Sequence, residues 1–246
     1  MTALQLTHKI HVLTRKEEID TVRANGKIAI VLDVLFATST IAAALAHGAT
    51  EVVPAMNEAA ARALGGQYRE DETVLAGELM AVTLPGFAPP TPLALVAHGV
   101  KDKRVIYATT NGTVALKSVG GAEHVYAAAL VNGAAVIDHV LANHRDRTLL
   151  IVCSGSMGNF NLEDFYGAGY LVDLLASRLG ERADFSDAAR AARALYGHAP
   201  PHPSLADSRV GRMMRERGYG GEVEYAARLS VLDVVPRLDD GRLVRA

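Results

Sequence analysis

The residues able to do chemistry stand at the ends of apolar runs. In the stretch IVLDVLFATST, Asp33 follows IAIVL, and Thr38-Ser39-Thr40 open an alanine-rich segment. Glu78 follows TVLAG, and Thr109-Thr110-Asn111-Gly112-Thr113 follow RVIYA. Ser154-Gly155-Ser156-Met157-Gly158 follow LLIVC, with Asn161-Leu162-Glu163-Asp164 just beyond. Each feature has a plain reading: Asp33 as a turn residue, Thr38 or Ser39 as a helix N-cap, and TTNGT as an Asn-Gly turn. Glu163 and Asp164 also suit the first turn of a helix, where acids favour the macrodipole. Their common placement points further. Carboxylates crowded in a cleft repel one another unless a cation or proton intervenes. With oxygen ligands and no imidazole, the natural cation is Mg2+. Hydroxyls, Gly-rich turns and helix-start N–H groups suit phosphate oxygens.

Other chemistries have less support. The chain has no GxxxxGK[ST] loop, no GxGxxG after a strand, no HExxH and no CxxC. No HxH or HxxxH pair among its histidines falls on one predicted element, which argues against zinc. VCSGSMG has the look of a nucleophile elbow but is not GxSxG. No histidine is an obvious partner for Ser154 or Cys153.

Elements able to position these groups can be read from apolar periodicity. Strands are expected at 9–13, 27–33, 50–55, 72–77, 104–109, 123–129, 148–154 and 229–236. Helices are expected at 39–47, 57–64, 112–119, 132–143, 161–179, 185–196 and 204–217. The alternation predicts an α/β fold, a mostly parallel sheet flanked by helices. In such a sheet the candidate residues share the carboxyl edge, where ligands bind. VLDVLFATSTIAAALAHGATEVVPA and VIYATTNGTVALKSVGGAEHVYAAA read as two related strand-turn-helix-strand units. Thr40 matches Thr113 and Gly48 matches Gly121 at an offset of 73. PGFAPPTPL (85–93) and GHAPPHPS (197–204) read as rigid, extended loops, the second as a hinge or lid. The chain reads as one unit over 1–246, with a mostly helical part dividing off near residue 160.

The bulk numbers exclude several classes. A net charge of −2 and 21% charged residues do not suggest a nucleic-acid binder. The one dense basic run, RVGRMMRER (209–217), reads as a solvated helix face, with an anion or partner contact as the alternative. One cysteine, Cys153, allows no intrachain disulfide and fits a reducing cytosol. The N-terminal sequence shows no signal-peptide pattern, and no apolar run reaches the ~18 residues needed to span a bilayer. The expected location is cytoplasmic, with a small-molecule substrate, no nucleic acid and no membrane as partners. A homodimer is compatible with the sequence.

The blocks VLDVLFATSTIAAALAHGA, LAGE, TTNGT and VCSGSMGNFNLEDFYGAG fall in this order over roughly residues 28–180. In this they resemble the 2-phosphosulfolactate phosphatase (ComB) family. SRVGRMMRERGYGGEVEYAARL resembles the family's ending more loosely. The resemblance implies an α/β fold and a Mg2+-dependent phosphatase acting on 2-phosphosulfolactate. It implies Asp33, Glu163 and Asp164 as Mg2+ ligands, and Glu78 as a further ligand or general base. Thr38, Ser39, Thr40, Asn111 and Thr113 are expected to hold the phosphoryl group, with Thr110 and Gly112 in the same turn.

Two departures bear on the substrate. Phe36 stands where the family pattern has an arginine, and Leu79 stands where LAGE is usually followed by another. A third region, FAPPTP, has Pro90 and Thr91 in place of the family's Asn and Ser. Arginine grips phosphate, sulfonate and carboxylate bidentately. Each lost charge-assisted contact is worth about 1.5–3 kcal/mol, so losing two costs more than a hundredfold. The expectation is a Mg2+-dependent phosphatase with a less anionic small-molecule substrate. The alternatives are a non-phosphatase hydrolase or lyase on the same fold, and an inactive binding protein.

Overall fold

The computed structural model describes residues 8–246. The reading of the N-terminus as lacking a leader falls partly on residues 1–7, outside the described residues. Short apolar runs form the strands, in chain order β1 (His8–Leu13), β2 (Ile28–Leu32), β3 (Glu51–Ala55), β4 (Thr73–Leu79), β5 (Val82–Thr83), β6 (Arg104–Ala108), β7 (His124–Ala128), β8 (Leu149–Cys153), β9 (Ala183–Phe185), β10 (Pro236–Asp239) and β11 (Arg242–Arg245). Between them lie α1 (Ala37–Ala46), α2 (Glu58–Gly65), α3 (Pro92–His98), α4 (Gly112–Ser118), α5 (Gly133–Asn143), α6 (Leu162–Leu179), α7 (Asp187–His198), α8 (Pro201–Ala206), α9 (Arg209–Glu216) and α10 (Gly220–Ala226). Among the described residues, no helix is long and apolar enough to cross a membrane.

The architecture is α/β, with a mostly parallel sheet flanked by helices. Its order is β5-β4-β6-β3-β11-β10-β7-β2-β8-β1-β9. Strands β4, β6 and β3 run parallel, as do β7, β2, β8, β1 and β9. The hairpin β10–β11 lies between these sets, antiparallel to β7 on one side and to β3 on the other. Three antiparallel steps leave β3 and β7 running in opposite senses. Two parallel half-sheets thus meet at a seam. Twist of about 20–25° per strand turns them well out of one plane.

The two echoing units cross this seam in opposite directions, β2-α1-β3 one way and β6-α4-β7 the other. Their true register differs from the expected offset. The Thr38 hydroxyl accepts from the Asp33 N–H and donates to the Asp33 carbonyl, at 3.0 and 2.9 Å. The Thr113 hydroxyl does the same for Thr109, at 3.1 Å each way. Thr38, not Thr40, is therefore the counterpart of Thr113, because each hydroxyl closes the turn after its own strand. α1 is buried along nearly its whole length. Its alanines let it lie close to strands from both half-sheets in one apolar core, with Ala29, Val31, Val52 and Val105.

Several expected elements are corrected. Residues 229–235 form no strand: the Ser230 and Leu232 N–H groups bond the Leu130 and Val131 carbonyls instead. The strand begins only at Pro236 and turns back as the seam hairpin. The single helix expected at 204–217 is two, because the Ser208 hydroxyl accepts from the Gly211 N–H at 2.9 Å and starts a new helix. The two proline loops are shorter than expected. Pro92 and Pro201 each open a helix, where proline has no intrahelical N–H bond to lose.

Candidate active site

Asp33, on the turn leaving β2, is buried at 8% exposure. Gly112, opening α4, packs directly on it. A Cβ at Gly112 would lie 2.3 Å from the Ala37 Cβ and 2.6 Å from Asp33 Oδ2. Only glycine lets the starts of α1 and α4 meet across the seam. Glu78, at the end of β4, is fixed by three donors: the Thr110 N–H at 2.6 Å, the Ala81 N–H at 2.6 Å and the Thr110 hydroxyl at 3.1 Å. Burial, then the Glu78 charge, then the Glu163 charge, push the Asp33 carboxyl up to about 7, against the pull of the Ala37 N–H and Lys16.

Glu163 and Asp164 open α6 and are each 1% exposed, yet they differ in role. Asp164 Oδ1 accepts from the Val34 N–H at 2.9 Å and Oδ2 from the Gly155 N–H at 3.1 Å. It braces the turn after β2 against the turn after β8. Gly155 takes φ +62° there, a backbone that suits glycine. Among the described residues, both Glu163 oxygens are buried without a hydrogen-bond partner. Ser208 lies nearby but its hydroxyl proton goes to the Leu205 carbonyl. Burial raises the Glu163 and Asp164 pKa values, and neighbouring carboxylates raise Asp164 further.

The hydroxyls expected around an anion are turned elsewhere. Thr38 and Thr113 close their own turns, as described. Ser39 donates to the Val34 carbonyl at 2.8 Å, and Thr40 to the Pro90 carbonyl at 2.9 Å. None of these four lines the pocket, whereas Thr110 and Asn111 do. The Thr-Ser-Thr cluster builds the scaffold of the site. Cys153 is buried, with its thiol pKa raised by burial, and the Ser154 hydroxyl is buried and unpaired. Neither is presented as a nucleophile.

These turns frame a cavity of about 110 Å³. Its polar side is Asp33, Glu78, Thr110, Asn111, Ser156 and Asn161. Its apolar side is Leu35, Phe36, Ala37, Met80, Ala81, Val210, Met213 and Met214. Phe36 thus faces the same cavity as Asp33. Leu79 does not: it is 60% exposed and lines a neighbouring groove with Met56 and Leu84.

Two cations at the site were not among the candidate site residues, although the anion-contact alternative for the basic run covers Arg209. Lys16 reaches in from the segment after β1, with Nζ 3.2 Å from Asn111 Oδ1, 3.2 Å from the Ser154 carbonyl and 3.1 Å from Glu17. Arg209, from α9, lines the pocket and donates to Asn161 Oδ1 at 3.3 Å. Its neighbours in the basic run face elsewhere: Arg212 bonds the Asp207 carbonyl and Arg215 pairs with Asp207 at 3.7 Å.

The donor set can be tested against a hard cation. Among the described residues, no three His, Cys, Asp or Glu side chains converge to hold a metal ion. A trio of Asp33, Glu163 and Asp164 is therefore not present as a ready cage, and Asp164 is engaged by main-chain N–H groups. Mg2+ commonly takes only one or two carboxylates, completing its shell with water and substrate phosphate. The unpaired Glu163 carboxylate and the Asp33 carboxyl it acts on fit that smaller requirement.

The fold and site define a class: an α/β protein with an acidic, partly apolar small-molecule pocket where the strands' carboxyl ends converge. Comparison with known proteins narrows this. Residues 13–241 match the family model described as 2-phosphosulpholactate phosphatase. A protein of Carboxydothermus hydrogenoformans, named "Probable 2-phosphosulfolactate phosphatase", is 38% identical over 239 residues, covering 96% of each chain. A Deinococcus radiodurans protein of the same name is 36% identical, covering 87% of this chain and 88% of its own. One from Caldanaerobacter subterraneus, also so named, is 35% identical, with 87% and 89% covered. The chain belongs to the 2-phosphosulfolactate phosphatase family.

Proposed function

We propose that the chain is a phosphoric monoester hydrolase that removes phosphate from a small phosphorylated hydroxy acid, with Mg2+ as its cofactor. The observation that carries this reading is Asp33 in the pocket wall, with the buried, unpaired Glu163 carboxylate acting on it, in a chain of this family. Asp33 and Glu163 would hold the cation. When bound, it would neutralise phosphate charge and help position an attacking water. Asp164 and the Thr38 hydroxyl orient the Asp33 turn. Glu78, locked by three donors, fixes the Thr110 turn beside the phosphoryl position. Lys16 supplies positive charge, and the Asn111 amide offers a neutral donor to a phosphate oxygen. The apolar wall around Phe36 excludes water from one side of the substrate.

The reading takes a small molecule as partner, with no nucleic acid and no membrane, in the cytoplasm, the chain acting alone or as a homodimer. Phe36 in the cavity is also the one observation favouring a second reading, a non-phosphate hydrolysis or lyase reaction on the same scaffold. Phosphate release from a panel of phosphomonoesters separates the two, run with Mg2+ and with chelator. The expected result is metal-dependent release that falls by about 10²-fold or more in Asp33→Asn, the scale seen for lost electrostatic groups. Unchanged turnover in that variant would sink the proposal.

A further inference from the structure

We infer that Arg209 sets the substrate specificity of this pocket, reading one carboxylate of a 2-phosphorylated hydroxy acid whose remaining substituent is a short alkyl group. The inference rests on the phosphatase reading and deepens it. Among the described residues, Arg209 is the one Lys or Arg lining the cavity. Lys16, nearby, already has three acceptors on its ammonium. Arg209 has a single hydrogen bond among the described residues, to Asn161 Oδ1, and its charge also acts on the buried Glu163 carboxylate without a hydrogen bond to it. A guanidinium carries five N–H donors in a fork that fits a carboxylate, so it keeps capacity for a ligand. Asn161 holds it at the rim, and the Ser208 cap sets the helix that carries it.

The rest of the wall offers another anion no cation: its other polar groups, such as Ser156 and Asn161, are neutral, Phe36, Val210 and Met213 are apolar, and Asp33 and Glu78 repel negative charge. A substrate with phosphate, carboxylate and sulfonate together must set one anion against these groups. Replacing the sulfonate with hydrogen or a short alkyl chain removes that conflict. Methionines accommodate varied apolar shapes, so the alkyl group need not have one fixed form. The cavity's 110 Å³ corresponds to about four waters at a liquid share of about 30 Å³ each, so it suits a compact substrate with a short substituent.

The test is steady-state phosphate release with Mg2+, using 2-phospholactate, 2-phosphosulfolactate and glycerol 2-phosphate, which lacks a carboxylate. Wild type is expected to prefer 2-phospholactate over each of the others by about tenfold or more in kcat/KM, the worth of one charge-assisted contact. Arg209→Gln is expected to raise KM for 2-phospholactate about 10–100-fold with kcat little changed, collapsing its preference over glycerol 2-phosphate. Arg209→Lys should recover part of the loss, and Arg212→Gln, which faces away, should change nothing. An unchanged preference in Arg209→Gln, or a wild type that favours 2-phosphosulfolactate, overturns the inference. If wild type releases phosphate from nothing, the phosphatase reading fails, and calorimetric binding of 2-phospholactate decides the inference separately. Binding weakened at least tenfold in Arg209→Gln supports it; equal binding, or none to wild type, overturns it.

Discussion

At the scale of single residues, Asp33 couples the site to stability. Its carboxyl is raised from 3.8 to about 7 in the folded protein, chiefly by burial. Between these values the folded state binds more protons than the unfolded chain. Stability must then fall as pH rises through the window and level off above it. The effect amounts to a few kcal/mol, since one pKa unit is worth about 1.4 kcal/mol. Urea denaturation in chelator is expected to show lower stability at pH 8 than at pH 5, with a smaller difference in Asp33→Asn. Added Mg2+ should restore stability at pH 8, because a cation replaces the proton. Stability rising from pH 5 to 8 in chelator would contradict this account.

At the scale of elements, the site depends on how closely α1 and α4 approach at their starts. Gly112→Ala places a methyl 2.3 Å from the Ala37 Cβ, 2.6 Å from Asp33 Oδ2 and 3.0 Å from the Asp33 Cβ, and the two Cβ atoms can yield only if the main chain moves. The expected cost is about 1–3 kcal/mol, typical of overpacking. Because the displaced group is Asp33 itself, activity should fall more than stability does. A thermal melt beside a phosphate-release assay checks both; normal activity in a destabilised variant would show that this approach is not part of the site. The loops around the pocket are tied in a similar way. Arg217 bonds the Met80 and Ala81 carbonyls at 3.2 and 3.0 Å, joining the β4–β5 turn to the end of α9. Glu222 of α10 accepts from Thr91, Leu93 and Ala94 at 2.7–2.9 Å, fixing the proline segment that presents Pro90.

At the scale of the whole molecule, the C-terminal hairpin joins two half-sheets that carry different parts of the site. Asp33 and Glu163 come from one half, Glu78 and Asn111 from the other. Each side of the hairpin is tied by one register pair, Arg237 with Tyr126 and Leu243 with Val52. Leu243 is fully buried in the core that spans the seam. Leu243→Ala is expected to cost about 2–5 kcal/mol, each kcal/mol lowering Tm by about 2–4 °C in a chain of this size. A calorimetric scan measures it. A loss below about 0.5 kcal/mol, the scale of a surface change, would mean that the seam does not rely on the hairpin.

Local chemistry makes much of this legible in the sequence. Apolar runs such as IAIVL and LLIVC form strands wherever both faces are buried, and their ends locate Asp33, Glu78, Thr110 and Asn111 within a residue or two. The proline segments misled because proline opens α3 and α8 as readily as it stiffens a loop. Spacing could not reveal which way the Thr38, Ser39 and Thr40 hydroxyls turn, since main-chain carbonyls compete with any ligand for them. Lys16 and Arg209 lie far from Asp33 in the chain, and only packing brings them to one cavity. By itself the sequence determined the elements and the acidic groups at their ends, because these follow from periodicity and residue type. The tertiary structure alone decided the seam, the unpaired carboxylate of Glu163 and the placement of Arg209 at the pocket, because those depend on which distant segments share a wall.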